Sequence, residues 1–170
     1  MKVNWINQSL RETKTLTIWN GCYSFDTLEK NLVLGKGIVK KRVLIVDDHK
    51  MFRDGLKMTI NHETDMEVVG EAENGQRAVE LASELQPHII LMDVKMPVMD
   101  GIEATRQIHA KMPGIKILAL SMYSDNSVIS GMMRAGAVGY IIKGDDSEEM
   151  YKVIRRVAVS RIPDPERPLS

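Results

Sequence analysis

The sequence predicts an α/β fold: a five-stranded parallel sheet covered by helices on both faces. Three observations carry this. Five short apolar runs recur between residues 41 and 159, amphipathic stretches separate them, and turn or capping residues mark several of the joins. Strands alternating with helices at this spacing imply parallel pairing, because each return to the sheet needs a crossover.

The elements follow in order. Val43–Val46 is the first strand, and Phe52, Leu56 and Ile60 place one apolar face on the helix after it. Glu67–Gly70 is a second, weaker strand, followed by a helix bearing Ala78, Leu81, Ala82 and Leu85, with Asn74-Gly75 at its start. The third strand, Ile89–Met92, leads to Ile102, Thr105 and Ile108. The fourth, Ile115–Leu120, leads to Val128 and Met132. Val138–Ile142 is the fifth, before Met150, Ile154 and Val157. Spacings of three and four put each set on one helix face. Asp146 with Glu149 has the form of a capping box for the last helix.

The domain expected from this pattern covers residues 41–159. Residues 1–40 form an N-terminal extension expected to be poorly ordered, holding Trp5, Trp19, Tyr23 and Phe25, half of the eight aromatics in the chain. Within it "KTLTIWNGCYSF" alternates around Asn20-Gly21, a local hairpin signal, although one hairpin is marginal in water. "GIVKKRVLIVDDH" makes Val39 an alternative natural start, with residues 1–38 then an over-extended reading. Residues 160–170, "SRIPDPERPLS", carry three prolines and predict an extended tail.

Composition limits the function. Lys+Arg and Asp+Glu both total 23 in 170 residues, so no global charge points to nucleic acid or an anionic membrane. A single cysteine, Cys22, cannot build an internal disulfide framework or a thiolate zinc cluster. No apolar run reaches the roughly 18 residues needed to span a bilayer. The N-terminus lacks the apolar core of a secretion signal, so a cytoplasmic location is expected. His49, His62, His88 and His109 show no metal-ligand spacing. Met51, Met58, Met132 and Met133 suit core or interface filling.

In an open parallel sheet, ligands bind beyond the carboxyl ends of the strands. Strand one ends on Asp47-Asp48, strand three on Asp93, strand four on Ser121 and strand five on Lys143. Singly these are ordinary: an aspartate there usually caps a helix or forms a turn, and a lysine is usually solvated. Together they would bring three carboxylates, a hydroxyl and an ammonium to one edge. Clustered carboxylates repel and need a cation or a shared proton. Magnesium suits them, because it takes one or two carboxylates and leaves coordination open for phosphate oxygens. Asp93 could then act as a nucleophile forming an acyl phosphate, with Lys143, the ion and Ser121 neutralising the transferring group.

The motifs "VLIVDDH", "LMDVKMPVMDG", "ALSMYSD" and "AGAVGYIIKG", in that order, resemble a bacterial two-component response-regulator receiver domain. The local flavour of "GEAENGQRAVELA" and "DGIEATRQI" is similar to the NarL/FixJ (LuxR-type) subfamily. The resemblance implies a flavodoxin-like (βα)5 doubly wound sheet in three α/β/α layers. It implies that Asp93 is the phosphoacceptor and that Asp47, Asp48, Asp93 and the Lys95 backbone carbonyl hold Mg2+, with Mn2+ as an alternative. Ser121 and Lys143 contact the phosphoryl group, and Ser121 with Tyr140 forms the switch. Lys95 and Tyr123 border the acyl phosphate. A sensor histidine kinase would donate the group, and the face of the fourth helix, fifth strand and fifth helix would then change its partner, with homodimerisation on phosphorylation. Beyond phosphoacceptance and autodephosphorylation the resemblance implies no enzymatic activity.

Two departures stand out. Gly144 occupies a place where many receivers have proline. Only "RRVAVSRIPDPERPLS" follows Ile154, so the helix-turn-helix output domain usual in the subfamily is absent and DNA binding rests on kinship alone. The expectation is a truncated or frame-shifted regulator, or a stand-alone receiver acting as a phosphate sink or protein-binding module. A haloacid-dehalogenase-type phosphatase would want a second aspartate where Lys95 stands. A nucleotide-binding module would want a glycine-rich loop where "DDHKMF" stands.

Overall fold

The computed structural model describes residues 2–6, 13–17, 40–122, 126–144 and 146–159. The chain divides into two units, Met1–Val39 and Lys40–Ser170. In the first, β1 (Lys2–Ile6) pairs antiparallel with β2 (Thr13–Thr17), with Lys2 opposite Thr17 and Ile6 opposite Thr13. The expected turn at Asn20-Gly21 lies outside the described residues. Among those described, the partner of the Thr15-Leu16-Thr17 strand is the segment upstream of it.

The second unit contains β3 (Lys41–Val46), α1 (Lys50–His62), β4 (Met66–Ala72), α2 (Gly75–Leu85) and β5 (Ile89–Asp93). It continues with α3 (Gly101–Lys111), β6 (Lys116–Ser121), α4 (Asn126–Ala135), β7 (Gly139–Ile142) and α5 (Ser147–Val159). All four strand pairings are parallel and the order is β4-β3-β5-β6-β7. The expected flavodoxin-like fold is therefore present.

Alternation along the strands sorts the core into two halves. Val43, Ile45, Ile89, Leu91, Leu118 and Leu120 pack with Leu56 and Ile60 of α1 and Ile154 of α5. Leu44, Val46, Ile90, Met92, Ile117 and Ala119 pack with residues of α2, α3 and α4. Successive side chains of a strand face opposite ways, so only a strand buried on both faces can be apolar throughout. Ile89 to Met92 are all fully buried, as are Val43 to Val46. Each such residue contributes roughly 1.5–3 kcal/mol of burial.

Two helix starts show how local chemistry aims the chain. The Asn74 side chain accepts from Arg77 N–H at 2.9 Å, and Asp100 Oδ1 accepts from Glu103 N–H at 2.8 Å. At α5 the expected reciprocal capping box is half made. Asp146 Oδ1 accepts from Glu148 N–H at 3.2 Å, while the Glu149 carboxylate pairs with Lys152. Met132 is buried as expected, whereas Met51 and Met58 are exposed.

Strand order now places the site. The chain steps from β3 to one side for β4, then to the other side for β5. The carboxyl ends of β3 and β5 thus flank the point where the winding reverses, where helices diverge and leave a crevice.

Candidate functional site

Asp47 and Asp48 follow β3, Asp93 ends β5, Ser121 ends β6 and Lys143 follows β7, so the strand-end residues do gather on one edge. Lys143 Nζ lies 2.7 Å from Asp47 Oδ2 and 2.8 Å from Asp93 Oδ1. One ammonium thus bridges the two strands at the crevice. Asp47 is fully buried and Asp93 is 7% exposed. Asp48 is less enclosed. Ser121 is buried, and together with Asp93, Lys95 and Lys143 it lines one cleft. The Ser121 carbonyl accepts from Lys143 N–H at 2.7 Å, tying the ends of β6 and β7 together. Tyr140 stands apart from the cleft, 45% exposed.

The electrostatics follow from burial. Withdrawal from water pushes the Asp93 carboxyl above its ordinary value and the Asp47 charge adds to this, although Lys143 and the Val94 N–H work the other way. For Lys143, burial disfavours the ammonium, but hydrogen bonds and charge from Asp47 and Asp93 outweigh it and raise the pKa. Apart from that ammonium at 2.7 Å, Asp47 Oδ2 has no hydrogen-bond donor. Asp47 Oδ1 accepts from His49 N–H at 2.9 Å.

A divalent cation fits this donor set. Two buried carboxylates, Asp47 and Asp93, share one ammonium, which leaves negative charge in excess, and the exposed Asp48 stands beside Asp47. A buried carboxylate oxygen that shares its one donor with a second carboxylate is what a hard cation satisfies. Asp47, Asp48 and His49 each offer a ligand atom, all within 4.8 Å of one another.

Three residues escaped the sequence pattern. His49, expected to be structural or exposed, does have an exposed side chain, but its Nδ1 lies 2.8 Å from Asp48 Oδ1. Its place directly after two aspartates was the available signal. Arg53 is buried in α1, and its NH1 donates to the Asp47 carbonyl at 2.5 Å, holding the strand end from the helix side. Phe52 lies with its ring centroid 5.0 Å from Lys143 Nζ. Nothing in the helical spacing distinguishes that ring from an ordinary core residue.

Glycine at 101 is demanded by the same geometry. Its N–H donates to the Val94 carbonyl at 2.9 Å, and a Cβ there would run into the Asp93 carbonyl oxygen. The loop between β5 and α3 thus packs backbone against backbone at the carboxyl end of β5.

Comparison with known proteins agrees with this architecture. Residues 43–155 match the response regulator receiver domain. The chain therefore belongs to the response-regulator receiver family of two-component systems. Its relatives are LuxR/NarL-type transcriptional regulators. It is 39% identical over 119 residues to the transcriptional regulatory protein DegU of Brevibacillus brevis, covering 70% of this chain and 50% of that one. It is 43% identical over 114 residues to LiaR of Bacillus subtilis, covering 67% and 54%. The chain thus spans about half the length of these curated relatives. Among solved structures, the response regulator domain of Thermotoga maritima CheB superposes with a TM-score of 0.67 at 35% identity, covering 73% of this chain and 99% of that one. A LuxR-family response regulator from Aurantimonas sp. SI85-9A1 gives 0.67 at 33%, covering 70% and 85%.

Proposed function

We propose that this domain accepts a phosphoryl group on Asp93 from the phosphohistidine of a sensor histidine kinase in the cytoplasm, and that this controls an output in transcription. The observation that carries the proposal is the Lys143 ammonium bridging Asp47 and Asp93 at 2.7 and 2.8 Å in the switch-point crevice. A carboxylate raised in basicity by burial is a better nucleophile than a solvated one. Its oxygen forms the new P–O bond as the P–N bond to the donor imidazole breaks, and the imidazole leaves with the electron pair. Asp47, Asp48, Asp93 and the Lys95 carbonyl would hold Mg2+, or Mn2+ in its place, which supplies charge neutralisation for the phosphoryl oxygens. Lys143 contacts one phosphoryl oxygen and the Ser121 hydroxyl another.

Movement of Ser121 toward the phosphoryl group opens space on the α4–β7–α5 face for Tyr140 to turn inward. That face already carries the exposed Met133, Val138 and Tyr140. Burial of such a patch against a second copy is a two-state change biased by local charge. The link to transcription rests on the names of the longer relatives, of whose length this chain spans about half. Chemistry at Asp93 is limited to uptake and hydrolysis of its own phosphoryl group.

The test is intact-mass measurement after incubation with acetyl phosphate and magnesium. One labile phosphoryl group is expected, absent in Asp93→Asn and absent when magnesium is chelated. An adduct that survives Asp93→Asn would remove Asp93 from the role.

A further inference from the structure

We infer that Phe52 is a positioning residue for phosphoryl transfer: its ring holds the Lys143 ammonium between Asp47 and Asp93 and closes the apolar side of the site. The inference rests on Asp93 being the phosphoacceptor. A lysine ammonium has three donors and no acceptor. Asp47 Oδ2 and Asp93 Oδ1 occupy two directions, and the Phe52 ring lies in reach of the same nitrogen at 5.0 Å. A cation near a ring face within about 6 Å is attracted by the ring quadrupole, more strongly where water is excluded. The Lys143 side chain is only 7% exposed, so this contact operates in a dry place.

Position on α1 supports the assignment. Phe52 and Arg53 occupy the first turn, and each reaches a different part of the site. Arg53 fixes the Asp47 carbonyl, and Phe52 faces the lysine that Asp47 binds. Phe52 is partly buried against the core half that includes Leu56 and Tyr151. That packing fixes the ring, and the ring in turn limits where the flexible lysine stem can go. Without the ring the ammonium is free to swing out of the cleft, so it reaches a phosphoryl oxygen less often and water enters from that side.

The experiment compares Phe52→Leu, which keeps apolar bulk without a π face, with Phe52→Trp, which keeps the face. The first readout is the NMR signal of the Lys143 side-chain methylenes next to the nitrogen, which a ring face displaces upfield. The second is the rate of phosphoryl uptake from acetyl phosphate with magnesium. In Phe52→Leu the upfield displacement is expected to vanish and uptake to fall about three- to tenfold, with both restored in Phe52→Trp. Unmoved Lys143 signals with equal loss of uptake in both variants would reduce Phe52 to a packing residue and overturn the inference. So would wild-type uptake in Phe52→Leu. A displaced Lys143 signal in a wild-type protein that takes up no phosphoryl group would uphold the contact and overturn the phosphoacceptor instead.

Discussion

The centre of the sheet and its carboxyl edge are both buried, yet they are held together in different ways. At the centre, Leu44, Ile90 and their neighbours pack as one apolar cluster, and none needs a charge to be tolerated there. At the edge, the Asp47 and Asp93 carboxylates are tolerable because the Lys143 ammonium stands between them, and that ammonium because they flank it. Loss of a core methyl group leaves a void, while loss of the Lys143 ammonium leaves two buried carboxylates uncompensated. The centre supplies rigidity that depends little on conditions. The edge holds charges whose balance changes with ions and protons.

The sharpest way to break this contrast is Lys143→Met. Removing the one ammonium between two buried carboxylates should destabilise the domain by about 3–5 kcal/mol in urea unfolding. Magnesium should recover part of that loss, because it replaces the missing positive charge. Leu44→Ala should cost a similar or smaller amount, about 2–5 kcal/mol, but with no recovery on adding magnesium. Equal magnesium responses in the two variants would erase the distinction.

Gly101→Ala tests the seam between the regions. Its Cβ must displace the Asp93 carbonyl or the start of α3, so a loss of about 1–3 kcal/mol is expected, together with slower phosphoryl uptake. Val98 lies in the same loop with φ 68° and its side chain 85% exposed. A β-branched residue is strained there and gains nothing from burial, so Val98→Asn should stabilise the domain by about 1 kcal/mol.

The smallest effect is a pH dependence that only the edge should show. Asp93 has its folded pKa above the ordinary 3.8, so its ionised form is disfavoured by folding. That penalty is complete above the folded pKa, shrinks as pH falls through it, and is gone below 3.8. Without metal, Asp93→Asn should therefore be more stable than the parent at neutral pH, and this advantage should close as pH drops below the carboxylate range. Lys143 acts at the opposite end of the scale. Its raised pKa adds stability that is present below 10.5 and lost as pH rises through the higher folded value. Leu44→Ala should show neither trend relative to the parent, as denaturation midpoints across pH would reveal.

Much of this was legible in residue order alone. Short continuous apolar runs and three-four spacings are local signals, because each depends only on residues close in the chain. They located five strands and five helices, with bounds that moved by one or two residues at several ends. They also put Asp47, Asp93, Ser121 and Lys143 at strand ends, and a parallel sheet brings those ends to one edge. Distance, depth and partner were decided by tertiary packing. Asp47 became the buried member of its pair, with its side chain on Lys143 and its carbonyl taken by Arg53, and Asp48 the more open one. Phe52 met Lys143, and His49 turned onto Asp48, through contacts that no periodicity encodes. Tyr140 faces solvent although β7 begins beside the buried β6. Periodicity states which way a side chain points from its own backbone, and only the assembled sheet and helices state what stands there.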